Sequence, residues 1–279
     1  MKLEIFPAGR CSRLALFGAL AGLLVCSSGC DKSNSPRESA APAQPSKDHA
    51  PRPSRTAATA SPKLAIILDD IGSDPAAVDQ VFALDFPLTL SVLPFHGHSS
   101  TIAAEAHRRG YQVMLHLPME AVGSEVAETQ QLRVGMSSSE VSADLEGMLG
   151  SVPYAVGVNN HQGSLATSDS ALMGELMPLL RVRHLFFIDS RTTAATVAFD
   201  TAEHDGVPCA FRNVPFLDDL QEPRAIRRQL ELAIHGAKEK GEAVAIGHPH
   251  PETLQALREM LPLAQAEGVQ LVHASALVH

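Results

Sequence analysis

From Lys63 onward, short apolar runs alternate with amphipathic stretches that carry helix start and stop signals. A run rich in Val, Ile and Leu, bounded by turn residues, predicts a strand buried on both faces. Leu64–Leu68 is the first of about eight such runs, and Asp74-Pro75 predicts the start of the helix that follows it. Strands that alternate with helices indicate a parallel sheet. Because residues 63–279 are fewer than the roughly 250 of a full eightfold barrel, the sequence predicts an α/β fold. Its expected form is an irregular or incomplete (β/α) barrel of about seven to eight mostly parallel strands, in preference to an open doubly wound sheet.

Five of the apolar runs end on residues that can bind a metal ion or transfer a proton. These residues are Asp69 and Asp70, His116, the stretch 159–161, Asp189, and His248 with His250. In parallel α/β folds, the carboxyl ends of the strands open on the side where active sites are built. The sequence therefore predicts that these scattered positions form one cluster suited to metal-assisted hydrolysis.

Local patterns in the first two runs suggest how their polar residues are arranged. Consecutive side chains on an extended strand point in opposite directions, so Asp69 and Asp70 are expected to serve two roles. A helix cap beside a solvated carboxylate is the alternative. His116 and Glu120 would meet on one face if Pro118 starts a helical turn. A hydrogen-bonded structural histidine is the alternative for His116.

The later runs carry three further candidate sites. The residues Asn159, Asn160 and His161 are interpreted as a polar turn after an apolar strand, either as part of a site or as a plain loop. After Asp189, Arg191 is expected to hold a carboxylate or neutralise an anion, with a structural salt bridge as the alternative. His248 is expected to donate a proton, whereas His250 is interpreted as a loop residue.

Composition excludes several classes of function. The formal net charge is −9 and the folded region has no basic block, which argues against nucleic-acid binding. The chain has no Trp, so stacking platforms for sugars or bases are scarce. The sequence also lacks the glycine-rich phosphate-binding motifs and the G-x-S-x-G motif of serine hydrolases. Cys209 is expected to be a small buried residue rather than a nucleophile.

Residues 1–30 have the pattern of an export signal. A basic start precedes an apolar stretch, Leu14 to Val25, that is too short to span a membrane. Ser27-Ser28-Gly29-Cys30 resembles a bacterial lipobox, with ordinary signal cleavage or an uncleaved anchor as alternatives. Residues 31–62 are rich in Ser, Pro and Ala and predict a disordered tether. The protein is thus expected in the periplasm, with a possible lipid anchor at Cys30 in the inner membrane.

Six motifs in order resemble the divergent polysaccharide deacetylase family of bacterial envelope proteins, a relative of metal-dependent carbohydrate esterases. The motifs are LDDIG, SVLP, HLPME, NNHQGS, FIDSRT and IGHPHPET, and the resemblance covers about residues 63–275. It implies that Asp69 is the general base, that Asp70 and His116 bind the metal, and that His248 is the general acid. The esterases carry a second metal-binding His where this chain has Glu120.

The third metal ligand is therefore expected to be His161, with Glu120 in reserve, and Asn160, Asp189 and Arg191 are expected to support the site. The resemblance implies a divalent metal, with zinc expected, and hydrolysis of N- or O-acetyl groups on an envelope polysaccharide such as peptidoglycan. The alternative is a non-catalytic envelope-binding or regulatory protein that keeps the fold. Protein partners remain open.

Overall fold

The computed structural model describes residues 61–123 and 130–279. The strands are β1 (Lys63–Ile71), β2 (Thr89–Val92), β3 (Gln112–Met119), β4 (Ala155–Gln162), β5 (Phe186–Asp189), β6 (Cys209–Phe211), β7 (Glu242–Gly247) and β8 (Gln270–Val272). The helices are α1 (Pro75–Phe82), α2 (Ser99–Arg108), α3 (Ser138–Ser151), α4 (Ser170–Val182), α5 (Ala198–His204), α6 (Pro223–Lys240) and α7 (Pro251–Ala266). Short 3₁₀ helices cover Ala166–Ser168 and Ala274–Leu277. The expected signal sequence and all but the last two residues of the expected tether lie outside the described residues. Within the described residues, no helix is long and apolar enough to cross a membrane.

The strands form one parallel sheet in the order β6-β5-β4-β3-β2-β1-β7, with β8 beside the first residues of β1. The loop after β6 joins the two outer strands, because the amide of Asn213 donates to the carbonyl of Val244 (3.0 Å) and that of Leu217 to Ile246 (2.8 Å). The result is a nearly closed barrel of seven parallel strands, which confirms the predicted α/β barrel.

Helix boundaries follow the sequence signals closely. Asp74 caps α1 by accepting from the amide of Ala76 (2.9 Å), and Ser137 with Glu140 forms a reciprocal capping box at α3. Gly241 ends α6 in the left-handed conformation, with φ 92°.

Two local predictions about β3 and β4 are wrong. Both strands run on to Met119 and Gln162, paired in register from His116↔Asn159 to Met119↔Gln162. Asn159 and its two neighbours are therefore strand residues rather than a polar turn, and Pro118 starts no helical turn. The polar side chains stay in the ladder because they find partners at the mouth of the barrel.

Two apolar layers surround the strands. The larger one lies between the sheet and the helices, and the smaller one fills the barrel. The barrel interior is built from Ala65, Ile67, Met114, Phe186, Ile188, Val244 and Ile246, with Ala274 and Leu277 at the amino ends of the strands. Gly157 leaves room for Phe186, since a Cβ there would lie 2.4 Å from the ring.

Toward the carboxyl ends of these strands, the next side chain that points into the barrel is polar. Two residues beyond Ile67, Met114, Ile188 and Ile246 stand Asp69, His116, Ser190 and His248. Because side chains alternate between the two faces of a strand, the polar residues continue the inward-facing rows. The apolar core thus ends in a layer of groups that carry chemistry.

Candidate active site

The Asp69-Asp70 pair lies where β1 departs from regular pairing. The register with β2 shifts between Leu68 and Ile71, and Asp70 has φ 58°. Such irregularities re-aim side chains and occur often beside active sites. The expectation that the two carboxylates point apart is wrong, because Asp69 Oδ2 and Asp70 Oδ1 lie 3.7 and 3.2 Å from Nε2 of His116.

Three potential ligand atoms face one another at the centre of this layer. Asp70 Oδ1 lies 3.2 Å from His116 Nε2 and 3.1 Å from His161 Nδ1, and the two imidazole nitrogens are 3.1 Å apart. Asp70 Oδ1 is buried, yet it accepts no hydrogen bond of good geometry within the described part of the chain. A tetrahedral zinc ion with ligand bonds of about 2.0–2.2 Å would hold its ligands about 3.3–3.5 Å apart. The triangle therefore fits a divalent cation after a small expansion.

The charge on Asp70 suits the same use. Burial acts to raise the pKa of Asp70, but the facing imidazoles of His116 and His161 outweigh it. They hold the pKa of this carboxyl well below its ordinary value, so Asp70 is an anion over the whole physiological range.

Asp69 is the buried carboxylate beside the triangle. Its side chain is almost inaccessible, and Oδ1 accepts a hydrogen bond from Nδ2 of Asn159 (2.9 Å). Burial raises the pKa of Asp69, and the nearby imidazoles of His116 and His248 offset only part of that rise. A carboxylate with such raised proton affinity is suited to accept a proton from a reacting group.

His248 flanks the triangle on another side and is held by Asp218. Its Nδ1 lies 2.8 Å from Asp218 Oδ1, and its backbone amide donates to Oδ2 (2.7 Å), which also accepts from the hydroxyl of Thr253 (2.7 Å). Burial acts to lower the pKa of His248, but the bond to Asp218 and the charges of Asp218, Asp69 and Asp70 raise it to about 9. His248 is therefore an imidazolium at neutral pH, with Nε2 3.7 Å from Asp70 Oδ2.

Sequence reasoning missed Asp218 and the role of Asn159. Asp218 is buried, and it lies in Phe216-Leu217-Asp218-Asp219, a second Asp-Asp after apolar residues that could have signalled it. Asn159 was noted only as part of a polar motif. Arg212 was missed as well: its guanidinium donates to the carbonyls of residues 190, 191 and 214 and so fixes the loops beside the site.

Other predicted residues lie outside the triangle. Glu120 lies just beyond the end of β3, four residues after His116, which corresponds to about 13 Å along an extended chain. Its Oε2 accepts a hydrogen bond from the amide of Val134 (2.9 Å). The structure thus brings His161, and not Glu120, to the third ligand position. His250 approaches Gln221, with 3.1 Å between the two Nε2 atoms.

The three expected supporting residues hold loops. Asn160 accepts from the amide of Ser190 (2.8 Å) and donates to the carbonyl of Gln162 (2.8 Å). Asp189 accepts from the amide of Arg191 (2.8 Å). The guanidinium of Arg191 lies over the ring of Phe211, 3.4 Å from its centroid.

Comparison with known proteins identifies the family. A family model described as divergent polysaccharide deacetylase matches residues 66–278. The chain belongs to that family. The uncharacterized protein YibQ of Escherichia coli (strain K12) is 40% identical over 217 residues, which cover 78% of this chain and 67% of YibQ.

Solved structures share the fold at low identity. An uncharacterized protein from Agrobacterium tumefaciens C58 has a TM-score of 0.74 at 21% identity, covering 79% of this chain and 91% of that one. The catalytic domain of a peptidoglycan N-acetylglucosamine deacetylase from Eubacterium rectale has a TM-score of 0.51 at 15% identity, with coverages of 77% and 90%. A mutant CE4 family pseudoenzyme with restored enzymatic activity has a TM-score of 0.53 at 12% identity, with coverages of 78% and 68%. The chain therefore shares its fold with the catalytic domain of a deacetylase and with a CE4 family pseudoenzyme.

Proposed function

We propose that this protein is an exported, metal-dependent deacetylase that removes N- or O-acetyl groups from an envelope polysaccharide such as peptidoglycan. The observation that carries the proposal is the triangle of Asp70, His116 and His161, flanked by the buried carboxylate of Asp69 and the imidazolium of His248. This set provides a cation site, a proton acceptor and a proton donor around one centre, which is what hydrolysis of an amide or ester requires.

Asp70 Oδ1, His116 Nε2 and His161 Nδ1 would hold the cation, and two histidines with one carboxylate are a set that catalytic zinc uses. When bound, a divalent cation supplies Lewis acidity that polarises an acyl carbonyl and lowers the pKa of water. The ligand role of Asp70 agrees with its lack of a good hydrogen-bond donor.

The chain's own residues would perform the proton transfers. Asp69 Oδ2 faces the centre and accepts a proton from the attacking water, while Oδ1 stays tied to Asn159. His248 donates the proton on Nε2 to the leaving amine or alcohol. Asp218 keeps His248 protonated and fixes its ring through Nδ1. A general base such as Asp69 or a general acid such as His248 typically contributes a factor of about 10²–10⁴.

The location of the activity follows from the N-terminal sequence. Residues 1–30 would direct export, Cys30 would carry a lipid, and residues 31–62 would span the distance from the inner membrane to the glycan. Mass spectrometry of the mature N-terminus tests this part separately. A lipid-modified terminus at Cys30 is expected, and an unmodified terminus beyond Cys30 contradicts the anchor.

The decisive experiment is acetate release from acetylated glycans by the zinc-loaded protein, beside an Asp69→Asn variant. We expect release that falls by about 10²–10⁴-fold in the variant, with its zinc content unchanged because Asp69 is not a ligand. Release no greater than that of the variant, across several metals and several glycans, would overturn the proposal.

A second candidate function is a non-catalytic protein that binds envelope glycan. Two observations favour it: Glu120 stands where related esterases have a metal-binding His, and the chain has no Trp to stack on sugars. Glycan sedimentation with the wild type and the Asp69→Asn variant discriminates the two functions. Equal binding by both proteins, without acetate release by either, supports the second candidate.

A further inference from the structure

The side chain of Asn159 uses its full hydrogen-bonding capacity inside the barrel. It is completely buried on β4. Its Oδ1 accepts from Nδ1 of His116 (2.9 Å) and from the hydroxyl of Ser91. Its Nδ2 donates to Oδ1 of Asp69 (2.9 Å) and to Oγ of Ser190 (3.2 Å). Two acceptor and two donor positions are all that a side-chain amide has, so no part of this group is left for another partner.

These bonds fix which way the amide faces. A flipped amide would turn its oxygen toward the Asp69 carboxylate and its N–H groups toward Ser91 and His116. The oxygen would then repel the carboxylate, and the hydrogen bond to Asp69 would be lost. The position of Asp69 therefore dictates that Oδ1 of Asn159 faces His116.

The orientation of Asn159 in turn fixes the tautomer of His116. Because Oδ1 can only accept, Nδ1 of His116 must carry a proton. In the neutral ring, which is the form that binds a metal ion, the lone pair then lies on Nε2, the nitrogen that faces Asp70 and His161. Partners of this kind orient metal-binding histidines, and their loss typically costs 10–100-fold in metal affinity.

The same amide positions the carboxylate of Asp69. The bond to Oδ1 leaves Oδ2 directed at the centre, 3.7 Å from Nε2 of His116. It also places a neutral donor on a carboxylate whose pKa burial would otherwise raise further. A carboxylate held in this way meets a proton donor without first reorienting.

We propose that Asn159 is a positioning residue that couples the two halves of the site: its oxygen sets the metal-binding tautomer of His116, and its nitrogen orients Asp69. The inference rests on the proposed function for Asp69, whereas the His116 half rests on metal binding alone. One side chain thus links the cation site on β3 and β4 to the general base on β1.

Two variants separate the two halves. Asn159→Ala removes both, so zinc affinity in a competition assay is expected to fall about 10–100-fold. Asn159→Asp keeps an acceptor for His116 but has no N–H for Asp69. Its zinc affinity is expected to stay within about threefold of the wild type, while its acetate release falls about 10²-fold or more, within the range for a misplaced general base.

A matched control is Gln112→Ala, which removes an amide that also bridges strands and loops, on the same strand as His116 but at the opposite end of the barrel. Its zinc affinity and acetate release are expected to match the wild type. Circular dichroism checks that each variant folds. If Asn159→Asp does not fold, ¹H–¹⁵N spectra of the wild-type zinc protein replace it, and the signal assigned by its loss in His116→Ala must show Nδ1 protonated.

The outcomes separate this inference from the proposed function. Equal zinc affinity in wild type, Asn159→Ala and Asn159→Asp overturns the inference, as does an equal loss in both variants or a His116 that is protonated on Nε2. A wild type that releases no acetate overturns the proposed function instead. In that case the zinc affinities still decide the inference: loss in Ala with retention in Asp upholds it, and any other pattern overturns it.

Discussion

Each end of the barrel has a side-chain amide that bonds to several strands or loops, but only the carboxyl end combines it with charged groups. At the amino ends of the strands, Oε1 of Gln112 accepts from the hydroxyl of Thr89 (3.2 Å) and from the amide of Ser275 (3.1 Å), and Nε2 donates to the hydroxyl of Ser275 (2.6 Å). At the carboxyl ends, Asn159 on β4 bonds in the same manner to residues of β1, β2 and β3 and to Ser190 just after β5. The amide at each end forms hydrogen bonds within the protein through both its oxygen and its nitrogen.

Charge distinguishes the ends. The Gln112 cluster is neutral, and the apolar residues Ala274 and Leu277 close the barrel beside it. The Asn159 cluster holds Asp69 and His116, and beside it Asp70 Oδ1 lacks a good hydrogen-bond donor. Two imidazole nitrogens face this oxygen at 3.2 and 3.1 Å, so the carboxyl end presents a set of ligand atoms that a bound cation can join. The difference teaches that burial and satisfied amides seal a barrel, whereas incomplete satisfaction of a charged group indicates a site.

The largest expected effect comes from His116→Ala, which removes a proposed metal ligand from the carboxyl end of the barrel. Loss of a ligand atom should weaken zinc binding by more than the roughly 100-fold that the loss of an outer partner costs. Calorimetric titration with zinc measures this, and zinc should no longer raise the midpoint of thermal unfolding. Unchanged affinity in this variant would show that the triangle is not the metal site.

Asp218→Asn tests whether Asp218 stabilises the protonated form of His248 at the carboxyl end of the barrel. Asp218 contributes to raising the pKa of His248 to about 9, from an ordinary 6.5. The imidazolium therefore stabilises the folded state fully below pH 6.5, and that contribution is lost as the pH rises through about 9. Between pH 6.5 and about 9, the free energy of unfolding of the metal-free wild type should therefore fall. The fall should be roughly 2–3 kcal/mol larger than that of the variant.

Urea unfolding at pH 6 and pH 10 measures that difference. Glu239→Gln is the control, because its partner His235 lies 3.0 Å away in an exposed pair, and such pairs contribute little. The alkaline limit of acetate release should also move to lower pH in Asp218→Asn. Identical pH profiles for wild type and Asp218→Asn would contradict the role given to Asp218.

Gly157→Ala tests the apolar layers that separate the ends. The added Cβ would lie 2.4 Å from the ring of Phe186, so overpacking should lower the free energy of unfolding by about 1–3 kcal/mol. Gly174→Ala in α4 is the control, since a Cβ there meets no atom within 4 Å. That change should be neutral or stabilise by up to about 1 kcal/mol. Chemical denaturation measures the free energy of unfolding of both variants. Equal values for the two variants would show that the barrel interior can accommodate the added methyl group beside Phe186.

Gln112→Ala is expected to have the smallest effect on the site and a modest one on the fold. Its loss leaves Thr89 and Ser275 with fewer partners, so the free energy of unfolding should drop by about 1 kcal/mol. The measurement is thermal unfolding with and without zinc. The zinc-induced shift should equal that of the wild type, and a smaller shift would mean that the two ends are not independent.

Much of the fold could be predicted from local pattern. The apolar runs located all eight strands of the described residues, and Asp74-Pro75 located the start of α1, because these signals act over a few residues. The boundary errors arose at Pro118 and at residues 159–161. There the tertiary pairing of β3 with β4 keeps polar residues in a strand.

The candidate site was only partly predictable. The strand-end pattern marked Asp69, Asp70, His116, His161 and His248 among a larger set of polar residues, because charged residues at the ends of buried strands are unusual. The resemblance to the deacetylase family then singled out these five. Sequence reasoning missed Asp218 and the use of Asn159, because their contacts join distant positions: Asn159 meets Asp69 across 90 positions, and Asp218 meets His248 across 30. Local hydrophobic patterns in the sequence do not indicate which strands will be neighbours in the sheet.

By itself, the sequence determined the alternation of strand and helix and the residues that stand at the strand ends, since both depend on local hydrophobic pattern and turn chemistry. Only the tertiary structure decided that Asp70 turns inward at a register shift, that His161 rather than Glu120 completes the triangle, and that Asn159 and Asp218 hold Asp69 and His248. Those outcomes depend on the order and register of the strands, which bring separate parts of the chain within hydrogen-bonding distance.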